Sequence, residues 1–254
     1  AGKISITIIM MNRRKAMGSL AALPLIGGIQ IKNDTPVKLK IMVTGAHPDD
    51  PETGCGGAIA KWTKAGHEVV VVYLTHGEAG VEDTEAEEAA IIRTKEATAA
   101  CKLLNARPVF LSQIDGSTEI NNVWFDKVLA VLQKESPDVL LTHWLIDTHR
   151  DHRICANLFY DAWLTNGQAS ALYFYEVMTG GQTQNFNPTD YVDITEEIEV
   201  KHQACFAHKS QFLEDSYENH HGQMELFRGM EATVSYAEAY LRHWQSVTSP
   251  IFSA

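Results

Sequence analysis

His47-Pro48-Asp49-Asp50-Pro51-Glu52 places one imidazole and three carboxylates within six residues, directly after the apolar run Leu39 to Thr44 and before the glycine-rich turn Gly54-Cys55-Gly56-Gly57. His149-Arg150-Asp151-His152 follows a second apolar run, Val139 to Thr142. Two histidines and an aspartate from two such segments can hold a zinc ion and leave one coordination position open for water. A turn leaving a strand can aim His47 and Asp50 at one ion while Asp49, between them, faces elsewhere and is free to act as a base. Zinc lowers the pKa of water, and a carboxylate that takes the proton yields a nucleophile for an amide or ester carbonyl. A protonated His149, three residues before the candidate ligand His152, could stabilise the oxyanion and protonate the leaving amine. Asp151 could orient one of these imidazoles and fix its tautomer.

Such residues need strand ends to present them. From Lys38 onward short β-branched runs alternate with longer amphipathic stretches, which predicts β-α units around a mostly parallel sheet. The strands expected are Leu39 to Thr44, Glu68 to Leu74, Pro108 to Leu111, Val139 to Thr142 and Leu172 to Val177, with helices over Gly56 to Ala65, Glu85 to Leu104, Asn122 to Lys134 and His152 to Leu164. In such a sheet ligands gather at the carboxyl ends of strands, near the point where strand order reverses. Both histidine segments lie at those ends, and Thr75-His76-Gly77-Glu78-Ala79-Gly80 should open on the same crevice. Thr179 to Asp193 reads as a long loop that could rim the substrate, followed by helices near Glu196 to Ala207 and Met224 to Trp244.

A chain of 254 residues can form one large α/β domain. Its net charge of -11, with Lys and Arg nowhere gathered into a basic stripe, argues against a nucleic-acid surface and for a small substrate of weak charge. The four cysteines, Cys55, Cys101, Cys155 and Cys205, lie far apart and read as small buried groups rather than a disulfide framework. Asn12-Arg13-Arg14-Lys15 followed by an uncharged stretch from Ala16 to Ile29 reads as an export signal of the twin-arginine kind within an N-terminal segment 1–37, although no clear A-x-A cleavage site follows. The alternative is a helix packed on the domain. That stretch is too short to span a membrane.

The duller readings carry weight. An H-x-x-H pair alone is weak evidence of metal, and Asp49 or Asp50 alone could cap a helix. The glycines of Gly54 to Gly57 do not form a dinucleotide fingerprint.

Taken jointly, however, the motifs resemble the PIG-L or LmbE-like family of zinc-dependent N-acetylglucosaminyl deacetylases. The resemblance rests on Ala46 to Glu52 with Gly54 to Gly57, Leu74-Thr75 running into Gly77 to Gly80, Arg93, Glu96 and Ala97, Asp147 to His152, and Lys201 with His208-Lys209-Ser210-Gln211. It implies His47, Asp50 and His152 as zinc ligands, Asp49 as general base and His149 as oxyanion-stabilising acid. Two positions depart from the family pattern, Arg150 in place of a proline and His76 in place of an arginine or asparagine; both should border the crevice, with a solvated arginine at a helix start as the preferred reading of Arg150. His208 is a weak supporting candidate. His143 is expected as a core or supporting histidine, His67, His202 and His243 on the surface, and His220 with His221 not as a metal pair, since adjacent helical residues point about 100° apart. The spacing of Tyr236, Tyr240 and Trp244 suggests helical core packing.

The reading is an α/β domain over 38–254, a Rossmann-like three-layer sandwich, that removes an N-acetyl group from an amino sugar or glycoconjugate such as N-acetylglucosamine. It would use one divalent zinc, with iron or cobalt chemically acceptable. Alternatives are a zinc amide or ester hydrolase acting on another metabolite, and a carbohydrate-binding module that has kept the metal.

Overall fold

The computed structural model describes residues 37–252. Residues 1–36, and with them the export signal expected there, lie outside the described residues. Within them, seven strands form one sheet: β1 Lys40–Gly45, β2 Glu68–Thr75, β3 Arg107–Gln113, β4 Val139–His143, β5 Ala171–Tyr175, β6 Asp190–Asp193 and β7 Ala237–Arg242. Their spatial order is β3-β2-β1-β4-β5-β7-β6. The first five are parallel neighbours, and β7 runs antiparallel to both β5 and β6.

The five parallel strands are continuous apolar runs because helices cover both faces. Alternate side chains of β1 go to opposite layers. Ile41 and Val43 pack with Ile59 and Trp62 of α1 (Asp50–Lys64), Ala97 of α2 (Ala86–Leu103) and, in the same cluster, Ala204 of a later helix, Ile198–Phe206. Met42 packs on the other face with Leu132 of α3 (Asn122–Glu135) and Phe159 and Trp163 of α4 (Arg150–Thr165). The result is an α/β three-layer sandwich. The helix Ile198–Phe206 is α5, and α6 (Leu213–Ser216) and α7 (His221–Ala232) complete the set. Among the described residues no helix is long and apolar enough to cross a membrane.

Several expectations are corrected. Gly54 to Gly57 are not a turn but lie inside α1, which starts at Asp50 with Pro51 in its first turn. Glycine normally weakens a helix interior, but here it admits close neighbours: a Cβ on Gly57 would lie 2.7 Å from Ile194, one on Gly56 would lie 3.1 Å from Lys201, and one on Gly54 would strike the Tyr175 ring. All four cysteines are therefore helical, and all are buried and unpaired.

The stretch Met224 to Trp244 is not one helix. Thr233 adopts a left-handed conformation (φ 60°) that ends α7, and the chain continues as β7. Residues Ala237 to Tyr240 are all buried, so no alternation marks the strand in the sequence. The fourfold spacing of Tyr236, Tyr240 and Trp244 is incidental: Tyr240 is core, whereas Trp244 is 81 % exposed. The expected loop Thr179 to Asp193 ends as edge strand β6. His243 is buried, not on the surface, with its ring 4.9 Å from Trp163 and 5.4 Å from Tyr160. His67 and His202 are half-buried, the first accepting from the Leu39 N–H and the second paired with Glu225.

Candidate active site

Strand order reverses between β1 and β4, since the chain moves from β1 outward through β2 and β3 and then returns to place β4 on the other side. A crevice at the carboxyl ends of those two strands follows from that topology. It is a cavity of about 400 Å³ lined by His47, Asp49, Asp50, Arg93, Asp115, His149, His152 and His221, among others.

Asp50, the first residue of α1, is the hub. Its Oδ2 accepts from the His47 backbone N–H (2.7 Å) and lies 3.2 Å from His47 Nδ1, while its Oδ1 lies 3.2 Å from His152 Nε2. The three expected metal ligands thus touch through Asp50. Burial opposes ionisation of this carboxyl, but the imidazoles of His152 and His143 prevail and hold it well below the usual carboxylate range. Three overlapping sets of side chains offer ligand atoms within 4.8 Å of one another: His47, His149 and His152; Asp50, His143 and His152; and His47, Asp115 and Asp151.

The residues fit a divalent cation. His143 Nε2 accepts from the Ala46 N–H (3.0 Å) and also lies 3.3 Å from Asp50 Oδ2, so two acceptors face each other, a contact that a nearby positive ion relieves. Behind the ligands, Asp147 Oδ2 stands 3.3 Å from His152 Nδ1, the carboxylate-histidine arrangement that orients metal-binding imidazoles.

Asp49 precedes α1 at the N-cap position, yet its side chain caps nothing. Its backbone sits at φ 108°, a conformation that costs a non-glycine residue on the order of 1–3 kcal/mol and collects at functional sites. Arg93 of α2 maintains it: Nη2 donates to Asp49 Oδ2 (2.8 Å) and to the Pro48 carbonyl, and Nη1 donates to the Gly77 carbonyl (3.1 Å). Gly77 and Gly80 allow this, because a Cβ on either would collide with the guanidinium. Burial raises the Asp49 carboxyl above its ordinary range, against the pull of Arg93.

His149 caps α4, its Nδ1 accepting from the Asp151 N–H (3.2 Å). That bond leaves the ring proton on Nε2. Burial and the charges on His152 and His47 lower the pKa of the ring. Asp151 is fully buried behind His47. It accepts from the Gly116 N–H (2.8 Å) and the Thr118 hydroxyl (2.5 Å) and stands 3.4 Å from His47 Nε2.

The structure also supplies residues that the sequence reading passed over. Asp115, in the loop after β3, lies 3.0 Å from His47 Nε2. Its signal was positional, since it follows a strand end just as His47 and His149 do. By contrast, neither His76 nor Arg150 lines the cavity: His76 is held between Thr94 and Ser112 and stacks on Phe110, and Arg150 donates to the Thr118 carbonyl. His208 is wholly buried, 3.4 Å from Glu52.

The family of GlcNAc-PI de-N-acetylases, PIG-L, matches residues 42–163, which contain both histidine motifs. The chain is also 31 % identical over 194 residues to the diacetylchitobiose deacetylase of Thermococcus kodakarensis, covering 70 % of this chain and 72 % of that one. The chain belongs to the PIG-L family. As a member it is a metal-dependent deacetylase, a hydrolase of amide bonds. The N,N'-diacetylchitobiose deacetylase of Pyrococcus horikoshii has the same fold at 26 % identity and a TM-score of 0.73, over 85 % of this chain and 87 % of that one. A 4-carboxy-2-hydroxymuconate hydratase from Pseudomonas putida has it as well, at 24 % identity and a TM-score of 0.72 over 84 % and 99 % of the two chains. Fold alone therefore does not name the reaction.

Proposed function

We propose that this PIG-L member removes the N-acetyl group from an amino sugar or glycoconjugate, with one zinc held by His47, Asp50 and His152. The observation that carries the reading is the presence of Asp49 and His149 with that trio in one cavity, two groups that binding alone would not need. Diacetylchitobiose, the substrate named for the Thermococcus relative, supports an N-acetylated sugar as the class. When bound, the ion would supply Lewis acidity and a water of lowered pKa.

The residues divide the remaining work. Asp49 is fastened through Oδ2 to Arg93, which leaves Oδ1 to take a proton from the attacking water. His149, with Nδ1 committed to the Asp151 N–H, donates from Nε2 to the oxyanion that develops on the amide carbonyl. Asp151 and Asp115 hold the His47 ring by its Nε2, and Asp147 does the same for His152 at Nδ1. The proton held on Asp49 then passes to the departing amine, giving acetate and a free amino sugar.

The test is metal content of the purified protein followed by acetate release from N-acetylglucosamine and diacetylchitobiose, with and without chelator. About one zinc per chain and chelator-sensitive acetate support the reading. Bound metal with no acetate from any N-acetyl sugar would remove it and favour another amide or ester substrate. We also propose export of the folded chain from the Arg13-Arg14 signal. A reporter fused to residues 1–37 that stays in the cytoplasm would refute it.

A further inference from the structure

Helix α7 is built inside out. Leu226, Phe227 and Met230 are 44 %, 43 % and 71 % exposed, whereas Glu225 and Arg228 are buried. With His221 these two make an i, i+4, i+7 face, so the helix turns a polar stripe toward the protein. The stripe is clamped by buried ion pairs. Glu225 lies 2.9 Å from Lys201 Nζ, and Arg228 forks onto both oxygens of Glu176, at 2.6 and 2.7 Å. Glu176 immediately precedes Val177, which lines the catalytic cavity. The clamp therefore ties α7 to the cavity wall.

His221 is the first residue of α7. It lines the catalytic cavity and also a second cavity of about 20 Å³, whose walls include Lys201, Glu225 and Glu238. Its Nδ1 is buried, and the Val177 backbone lies within hydrogen-bonding reach of the ring. Burial and the Lys201 charge keep the ring neutral, with its pKa pushed down to about 4. A neutral imidazole has one N–H and one lone pair, the complement of a hydroxyl group.

We infer that His221 is a specificity-determining residue, which hydrogen-bonds a ring hydroxyl of the N-acetylated sugar. The inference rests on the proposed deacetylation. It assigns α7 the task of fixing which sugar fits, separate from the ligand and base residues at the strand ends.

The zinc-loaded enzyme and its His221→Phe and His221→Gln variants are assayed on N-acetylglucosamine and its 3-, 4- and 6-deoxy analogues. In the wild type, one deoxy analogue should lose about tenfold or more in kcat/KM, because removing the hydroxyl leaves the imidazole unpaired. His221→Phe should turn over that analogue and the parent sugar equally, and His221→Gln should restore part of the discrimination. Unchanged discrimination in both variants, each with wild-type zinc content and melting temperature, would overturn the role of His221 while leaving deacetylation intact. Equal turnover of all four sugars by the wild type would also overturn it. No acetate from any of them would remove the sugar reading itself, and His221 with it.

Discussion

Asp49→Asn isolates the proposed base with little steric change. The amide keeps the shape of the carboxylate and an oxygen for Arg93 Nη2, which now sits 2.8 Å from Asp49 Oδ2. What is lost is the ability to take a proton. A positioned general base is worth roughly 10²–10⁴ in rate, which at 1.36 kcal/mol per tenfold is about 3–5 kcal/mol of barrier. The Asp49 carboxylate is held by Arg93 rather than by any of the three proposed ligands, so zinc content should stay near the wild-type value. The loss should fall on kcat rather than KM, because the group acts on the attacking water and not on the bound sugar. The assay is steady-state acetate release together with metal analysis of the same preparation. Activity within tenfold of wild type at full zinc occupancy would refute the base assignment, and loss of zinc would show instead that the side chain supports the metal.

Other outcomes follow from the same geometry. His152→Ala should lose metal as well as activity, since His152 Nε2 faces Asp50 at 3.2 Å; normal zinc content would remove His152 from the ligand set. Gly57→Ala forces a Cβ to 2.7 Å from Ile194, and overpacking of this kind costs about 1–3 kcal/mol, a drop of roughly 2–12 °C in Tm for a domain of this size. An unchanged Tm would mean that α1 can shift freely. Lys201→Met strands Glu225 and Glu238, both buried and both within 2.9 Å of the ammonium, so stability should fall by about 3–5 kcal/mol in denaturant titration. A neutral result there would show that the carboxylates find other partners.

Much of the fold was legible because parallel strands buried on both faces are short apolar runs separated by helical stretches. All five such strands lie where those runs predict, with ends shifted by at most two residues. The antiparallel addition was not legible. In β7 the carboxylate of Glu238 sits between apolar neighbours and is buried, because it accepts from the N–H groups of Gly57 and Ala58 at 2.9 Å and meets Lys201 at 2.8 Å. Apart from the Tyr240 hydroxyl, the partners that make that burial tolerable are distant in the chain, so no local pattern announces the strand.

The chemistry shows the same division. By itself the sequence determined the residue types at two strand ends and their short-range spacing, because His47, Asp49 and Asp50 share one turn and His149, Asp151 and His152 another. Tertiary structure alone decided that Arg93 would hold Asp49, that Asp115 would reach His47, and that α7 would turn its polar face inward to set His221 at the cavity. Each of those contacts joins residues tens of positions apart. They exist because the strand order brings separate loops to one edge of the sheet, an arrangement set by packing of the whole domain.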